Sequence, residues 1–127
     1  MDTGRTIMVV DDDPDIMTLV KKIIERRGYM AECVSSGEEV FRRLEVQKPD
    51  LILLDVVLPE MDGLEVLTRL KSRPETSSIP VILLTGNGRY SDVLMGYQMG
   101  TDYYISKPFT GTQLITGINL VLGEEDF

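Results

Sequence analysis

The sequence predicts an α/β fold: a doubly wound sheet of five parallel strands in the order 2-1-3-4-5, with helices on both faces as a three-layer sandwich. Three observations lead there. Short apolar runs alternate with stretches whose apolar residues recur every three to four positions, the β-then-α pattern that gives a parallel sheet with right-handed crossovers. Two runs, Leu51-Ile52-Leu53-Leu54 and Val81-Ile82-Leu83-Leu84, contain no polar residue, which suits central strands covered on both faces. Four of the five runs end in a residue that carries chemistry, as expected where strand ends line a ligand crevice.

Arg5 to Val10 is the first strand, followed at once by Asp11-Asp12-Asp13-Pro14. Asp13 suits an N-cap, with Pro14 at the first helical position. That helix extends to about Arg27, with Ile16, Leu19, Val20, Ile23 and Ile24 on one face. Lys21, Lys22, Arg26 and Arg27 favour its carboxyl end, and Gly28 stops it. Tyr29 to Val34 is the second strand. Ser35 and Ser36 cap a helix from about Gly37 to Val46, with Val40, Phe41 and Leu44 inward. Pro49-Asp50 introduces the third strand, which carries Asp55. A turn through Glu60-Met61-Asp62-Gly63 then opens a helix to about Lys71, and Ser72 to Ile79 is a loop. The fourth strand ends in Thr85, and Gly86-Asn87-Gly88 leads to a helix from Tyr90 to Met99 closed by Gly100. Tyr103 to Ser106 is the fifth strand, ending in Lys107-Pro108. Gly111 to Leu122 is the last helix, before the acidic tail Glu124-Glu125-Asp126.

A chain of 127 residues with 43% hydrophobic content reads as one domain over 1–127, with no effector domain following. A formal charge of −8 argues against nucleic acid as a direct partner, because phosphate backbones call for Lys and Arg. A single cysteine, Cys33, allows no internal disulfide and suits a reducing, cytoplasmic setting. No run is long enough for a signal peptide or a membrane span. Histidine is absent, which removes His-based triads, His metal sites and phosphohistidine chemistry on this chain.

Asp55 is the most informative residue. An ionised carboxylate inside an apolar strand costs several kcal/mol, roughly, unless it is compensated. At a strand's carboxyl end it has a use. The plain alternative, a helix cap, does not fit, since the next helix starts near Gly63. In the predicted order, strands one, three, four and five are neighbours, so Asp11, Asp12, Asp55, Thr85 and Lys107 should converge. Each alone has an ordinary explanation as a cap, a turn former or a surface charge. Together they set three carboxylates, a hydroxyl and an ammonium in one crevice. Clustered carboxylates repel unless a cation joins them, and an oxygen-only set suits Mg²⁺, with Mn²⁺ as the alternative. The implied chemistry is phosphoryl transfer to Asp55, with Lys107 and Thr85 on the phosphoryl oxygens.

The set V-V-D-D-D-P, L-I-L-L-D-V-V-L-P-E-M-D-G, L-L-T-G and Y-I-S-K-P-F resembles a receiver domain of two-component response regulators, of the CheY-like superfamily, over nearly the whole chain. The resemblance implies a flavodoxin-like fold with Asp55 as phosphoacceptor. It implies Asp11 and Asp12 as the acidic pair at the metal, with the Val57 backbone carbonyl also coordinating. Thr85 and Tyr104 would be switch residues, and Lys107-Pro108 a cis peptide, which only X-Pro tolerates cheaply. The phosphoryl donor would be a sensor histidine kinase or a histidine phosphotransfer protein. Two departures stand out: Gly86 where the family usually has Ala, and Gly100-Thr101 where it usually has Gly-Ala.

Other readings fit less well. A D-x-D phosphatase wants Thr where Asp15 stands, and a calcium loop starting at Asp11 wants Gly where Ile16 stands and Glu where Lys22 stands. A flavin module would be repelled by Asp11 to Asp13, and no Walker A sequence is present. A receiver used as an unphosphorylated interaction module is the remaining rival. For output, the sequence points to the face of the fourth helix, fifth strand and fifth helix, as a docking or self-dimer surface. The run Val93-Leu94-Met95 cannot all face inward from one helix, Tyr90 and Tyr103 add aromatic area, and Thr110 to Leu122 carries no charge. Val57 and Asn87 flank the site; neither offers an acid or base for hydrolysis, which favours a long-lived phosphorylated form.

Overall fold

The computed structural model describes residues 3–86, 97–98 and 100–123. Five strands form one parallel sheet in the order β2-β1-β3-β4-β5. They are β1 (Thr6–Val10), β2 (Met30–Val34), β3 (Leu51–Asp55), β4 (Val81–Thr85) and β5 (Tyr103–Ser106). The described helices are α1 (Pro14–Glu25), α2 (Gly37–Leu44), α3 (Gly63–Ser72) and the last helix, Gly111–Leu122. Tyr97 and Gln98 are helical, whereas most of the helix expected between Tyr90 and Met99 lies outside the described residues.

β3 and β4 are buried at every position, as their unbroken apolar sequence requires. Their alternate side chains feed two cores, one on each face of the sheet. Ile52, Leu54, Val81 and Leu83 meet Val66, Leu67 and Leu70 of α3 and Val40 of α2. Leu51, Leu53, Ile82 and Leu84 meet Val20 and Ile24 of α1 and Leu114, Ile115 and Ile118 of the last helix. A β-strand's period of two sends neighbours to opposite faces, so both layers of helices are covered from the same four-residue runs. The register of the central pairs, Asp55 opposite Leu84 and Val10 opposite Leu54, brings the strand ends level at one edge.

Local chemistry sets the helix starts. Asp13 caps α1 by accepting the Asp15 and Ile16 N–H groups, with Pro14 in the first turn. Ser36 caps α2 and Asp62 caps α3. Thr110 and Gln113 form a reciprocal capping box on the last helix. The ends are shorter than the sequence suggests: α1 stops at Glu25 and turns through Gly28, and α2 stops at Leu44. Leu19 corrects the inward face expected of α1. It is 47% exposed, because the buried stripe runs through Val20 and Ile24, flanked by Ile16, Met17 and Ile23. Thr101, the departure before β5, is buried and donates to the Val81 and Tyr103 carbonyls, so its hydroxyl joins β4 to β5. No helix among the described residues is long and apolar enough to cross a membrane.

Candidate functional site

The carboxyl edge of the sheet gathers Asp11, Asp12, Asp55, Thr85 and Lys107. Asp11 follows β1 and is fully buried; its own N–H donates to the Val34 carbonyl at 3.2 Å, which ties this position to β2. Asp55 closes β3 and is almost fully buried. Lys107 follows β5, held by its N–H donating to the Thr85 carbonyl at 2.7 Å. Its ammonium reaches back across the edge and donates to Asp11 Oδ2 at 3.0 Å and to Asp55 Oδ2 at 3.1 Å. The Lys107–Pro108 peptide is cis.

The two carboxylates are held in the same way. The Asp13 N–H donates to Asp11 Oδ1 at 2.9 Å, and the Val57 N–H donates to Asp55 Oδ1 at 3.2 Å. Each Asp therefore gives one oxygen to the N–H two residues on and the other to Lys107. Such turns are a habit of Asp side chains, and here they fix both carboxylates on opposite sides of one ammonium. The sequence picked out Asp13 as a helix cap but not its N–H as a partner of Asp11. Its signal was the spacing of two residues between Asp11 and the cap.

Burial pushes the Asp55 carboxyl above the ordinary carboxylate range, and the neighbouring Asp11 charge adds to the shift; Lys107 and the Val57 N–H oppose it. Burial alone would lower the Lys107 ammonium. The hydrogen bonds and charges of Asp11 and Asp55 outweigh that and raise it. Asp11, Asp12 and Asp55 each offer a carboxylate oxygen, all within 4.8 Å of one another. Asp12 is exposed and points the set toward solvent. Three carboxylates against one ammonium leave excess negative charge around an oxygen-only opening, and such a set fits a hard divalent cation that keeps some of its water.

Thr85 is buried at the end of β4, opposite Ser106 in register. Tyr104 lies on β5 opposite Leu83, half-buried against the core, with the Tyr97 ring edge-on at 5.6 Å. Val57 stands at the mouth and is half exposed. Asn87 lies outside the described residues, as do Tyr90 and Val93-Leu94-Met95. Tyr103 is half-buried: it packs against the core and also lines an open hollow with Tyr104, Thr112, Gln113 and Thr116.

The family model of the response regulator receiver domain matches residues 7–119. The chain belongs to that family. It is a receiver domain of two-component response regulators, a signalling domain. The alkaline phosphatase synthesis transcriptional regulatory protein PhoP of Bacillus subtilis is 38% identical over 119 residues, covering 94% of this chain and 49% of its own length. The phosphate regulon transcriptional regulatory protein PhoB of Pseudomonas aeruginosa is 36% identical over 119 residues, covering 94% and 52%. The receiver domain thus spans about half the length of the curated relatives it matches. Among solved structures, the signal receiver domain of a signal transduction histidine kinase from Syntrophus aciditrophicus superposes with a TM-score of 0.87 at 38% identity, covering 94% of this chain and 90% of that one. The receiver domain of NtrX from Brucella abortus gives 0.87 at 27% identity, covering 94% and 99%.

Proposed function

We propose that this receiver accepts a phosphoryl group on Asp55 from a sensor histidine kinase or a histidine phosphotransfer protein in the cytoplasm. One observation carries the reading: Lys107 bridges two buried carboxylates, Asp11 and Asp55, beside the exposed Asp12. An Asp55 carboxylate oxygen attacks phosphorus in line. The donor's P–N bond breaks, its electron pair returns to the imidazole nitrogen, and an acyl phosphate forms on Asp55. Asp11, Asp12, Asp55 and the Val57 carbonyl would hold a divalent cation, Mg²⁺ or Mn²⁺, which would supply charge to screen the carboxylates and the incoming phosphoryl oxygens. Lys107 exchanges one carboxylate partner for a phosphoryl oxygen, and the Thr85 hydroxyl donates to another. In this way the chain assists its own phosphorylation and its later hydrolysis.

The output in this reading is a change at the face of the fourth helix, β5 and the last helix. Tyr104 would turn as Thr85 moves toward the phosphoryl group. The exposed Leu120 and the uncharged last helix suit docking of a downstream protein or a second copy. Phosphotransfer tests the function: label on a phosphorylated kinase should move to the wild-type chain and not to Asp55→Asn. Transfer to Asp55→Asn at the wild-type rate contradicts the assignment.

A further inference from the structure

The first turn of α3 sits against the strand end that carries Asp55. The Gly63 N–H donates to the Val56 carbonyl at 2.7 Å. A methyl group on Gly63 would stand 2.2 Å from the Asp55 carbonyl oxygen, 2.8 Å from Val56 Cα and 2.9 Å from the Asp55 carbonyl carbon. All three are backbone atoms of a buried strand end, where the Val56 N–H in turn donates to the Leu84 carbonyl at 3.1 Å. No rotamer change relieves such a contact. Bringing the nearest pair to 3.0 Å requires a movement of about 0.8 Å by the helix or the peptide. Gly63 does not have a positive φ, so the demand at this position is for space and not for a special backbone conformation.

We propose that Gly63 is a positioning residue for phosphoryl transfer: the absence of a side chain lets α3 seat directly on the Asp55–Val56 peptide and sets where the Asp55 carboxylate and the Val57 carbonyl stand. The proposal rests on the reading of Asp55 as phosphoacceptor. The Val57 N–H, one peptide further on, donates to Asp55 Oδ1. Displacing the Asp55–Val56 peptide therefore moves the carboxylate, its anchor and the carbonyl together. Lys107 bonds Asp55 but is anchored elsewhere, by its N–H on the Thr85 carbonyl and its ammonium on Asp11, so a shift of this peptide changes the Lys107–Asp55 geometry. A misplacement near 1 Å at a reacting centre costs about 100-fold in rate.

The test compares Gly63→Ala with Gly117→Ala, a packing control in the last helix whose methyl would meet Ile105 Cδ1 at 3.0 Å and the Tyr103 ring at 3.1 Å. Both are assayed folded, below their melting transitions, with saturating acetyl phosphate. Gly63→Ala should label about 100-fold more slowly and need more Mg²⁺ for its half-maximal rate. Gly117→Ala should stay close to wild type on both measures. A folded Gly63→Ala that labels like wild type overturns the proposal, as does an equal loss in Gly117→Ala at matched stability. If Gly63→Ala does not fold, amide NMR of the wild type decides: the Gly63 resonance should follow the same Mg²⁺ binding curve as Val57, and an unshifted Gly63 overturns the proposal. Labelling of Asp55→Asn, or none of wild type, counts instead against the phosphoacceptor reading.

Discussion

Replacing Lys107 with Met keeps most of the aliphatic stem and removes the ammonium that holds Asp11 and Asp55 at 3.0 and 3.1 Å. Two carboxylate oxygens within 4.8 Å of each other repel by at least about 3.5 kcal/mol at an effective dielectric near 20. In the wild type Lys107 offsets that repulsion; in the variant nothing among the described side chains does. Removing one partner of a buried pair costs roughly 3–5 kcal/mol. The Lys107 side chain is 23% exposed, so the low end applies. We expect a loss of about 3 kcal/mol without metal at neutral pH, or about 10 °C in Tm. The sign with pH follows from Asp55, whose carboxyl is already raised by burial and by Asp11. A raised carboxyl destabilises the fold while ionised, so the deficit is full above the raised Asp55 value and shrinks as pH falls through it. Mg²⁺ should return more stability to the variant than to the wild type. Urea unfolding at neutral and mildly acid pH, with and without Mg²⁺, measures all of this. A loss under about 1 kcal/mol, the range of surface pairs, or a deficit independent of pH, would refute the reasoning.

Three further outcomes are expected. Mg²⁺ at ten times its dissociation constant should stabilise the wild type by about 1.4 kcal/mol, and Asp12→Ala should shrink that gain in thermal melts while raising the stability of the metal-free protein. Glu60 has a φ of 65° at the centre of a turn in which the Met61 N–H donates to the Pro59 carbonyl at 2.7 Å. Glu60→Gly should therefore stabilise the fold by about 1 kcal/mol in urea unfolding; equal or lower stability would mean that the turn holds no strain. Val57→Asn combined with Asn87→Glu should speed loss of the phosphoryl group about tenfold or more, or roughly 1.4 kcal/mol, timed after removal of the donor.

The sheet was legible because its central strands are written as unbroken apolar runs, and only a strand buried on both faces asks for that. The convergence of Asp11, Asp55, Thr85 and Lys107 followed from strand order, since parallel strands put their carboxyl ends on one edge. What did not follow was how the groups bond. That Lys107 would donate to both carboxylates, or that each would also take an N–H two residues on, depends on ångström-scale placement that residue spacing does not specify. Leu19 was misplaced for a related reason. It lies three residues from Ile16, inside the helical repeat, yet the stripe that meets the sheet is narrower and passes through Val20 and Ile24. There Leu19 borders an open apolar hollow of about 310 Å³ with Ile16, Lys107, Pro108 and Phe109. The positive φ at Glu60 has no sequence signal, because Glu has no preference for that region and the surrounding turn imposes it. Gly63 was visible as a helix start, but its closeness to Asp55 emerges only once α3 is seated on β3.

The most direct measurement is the intact mass of the protein after incubation with acetyl phosphate and Mg²⁺, for the wild type and for Asp55→Asn. The wild type should gain a single phosphoryl group, with no gain when Mg²⁺ is chelated before the donor is added, and Asp55→Asn should gain none. Equal labelling of Asp55→Asn would contradict Asp55 as the acceptor, and a wild type that never gains mass would make this receiver an unphosphorylated interaction module.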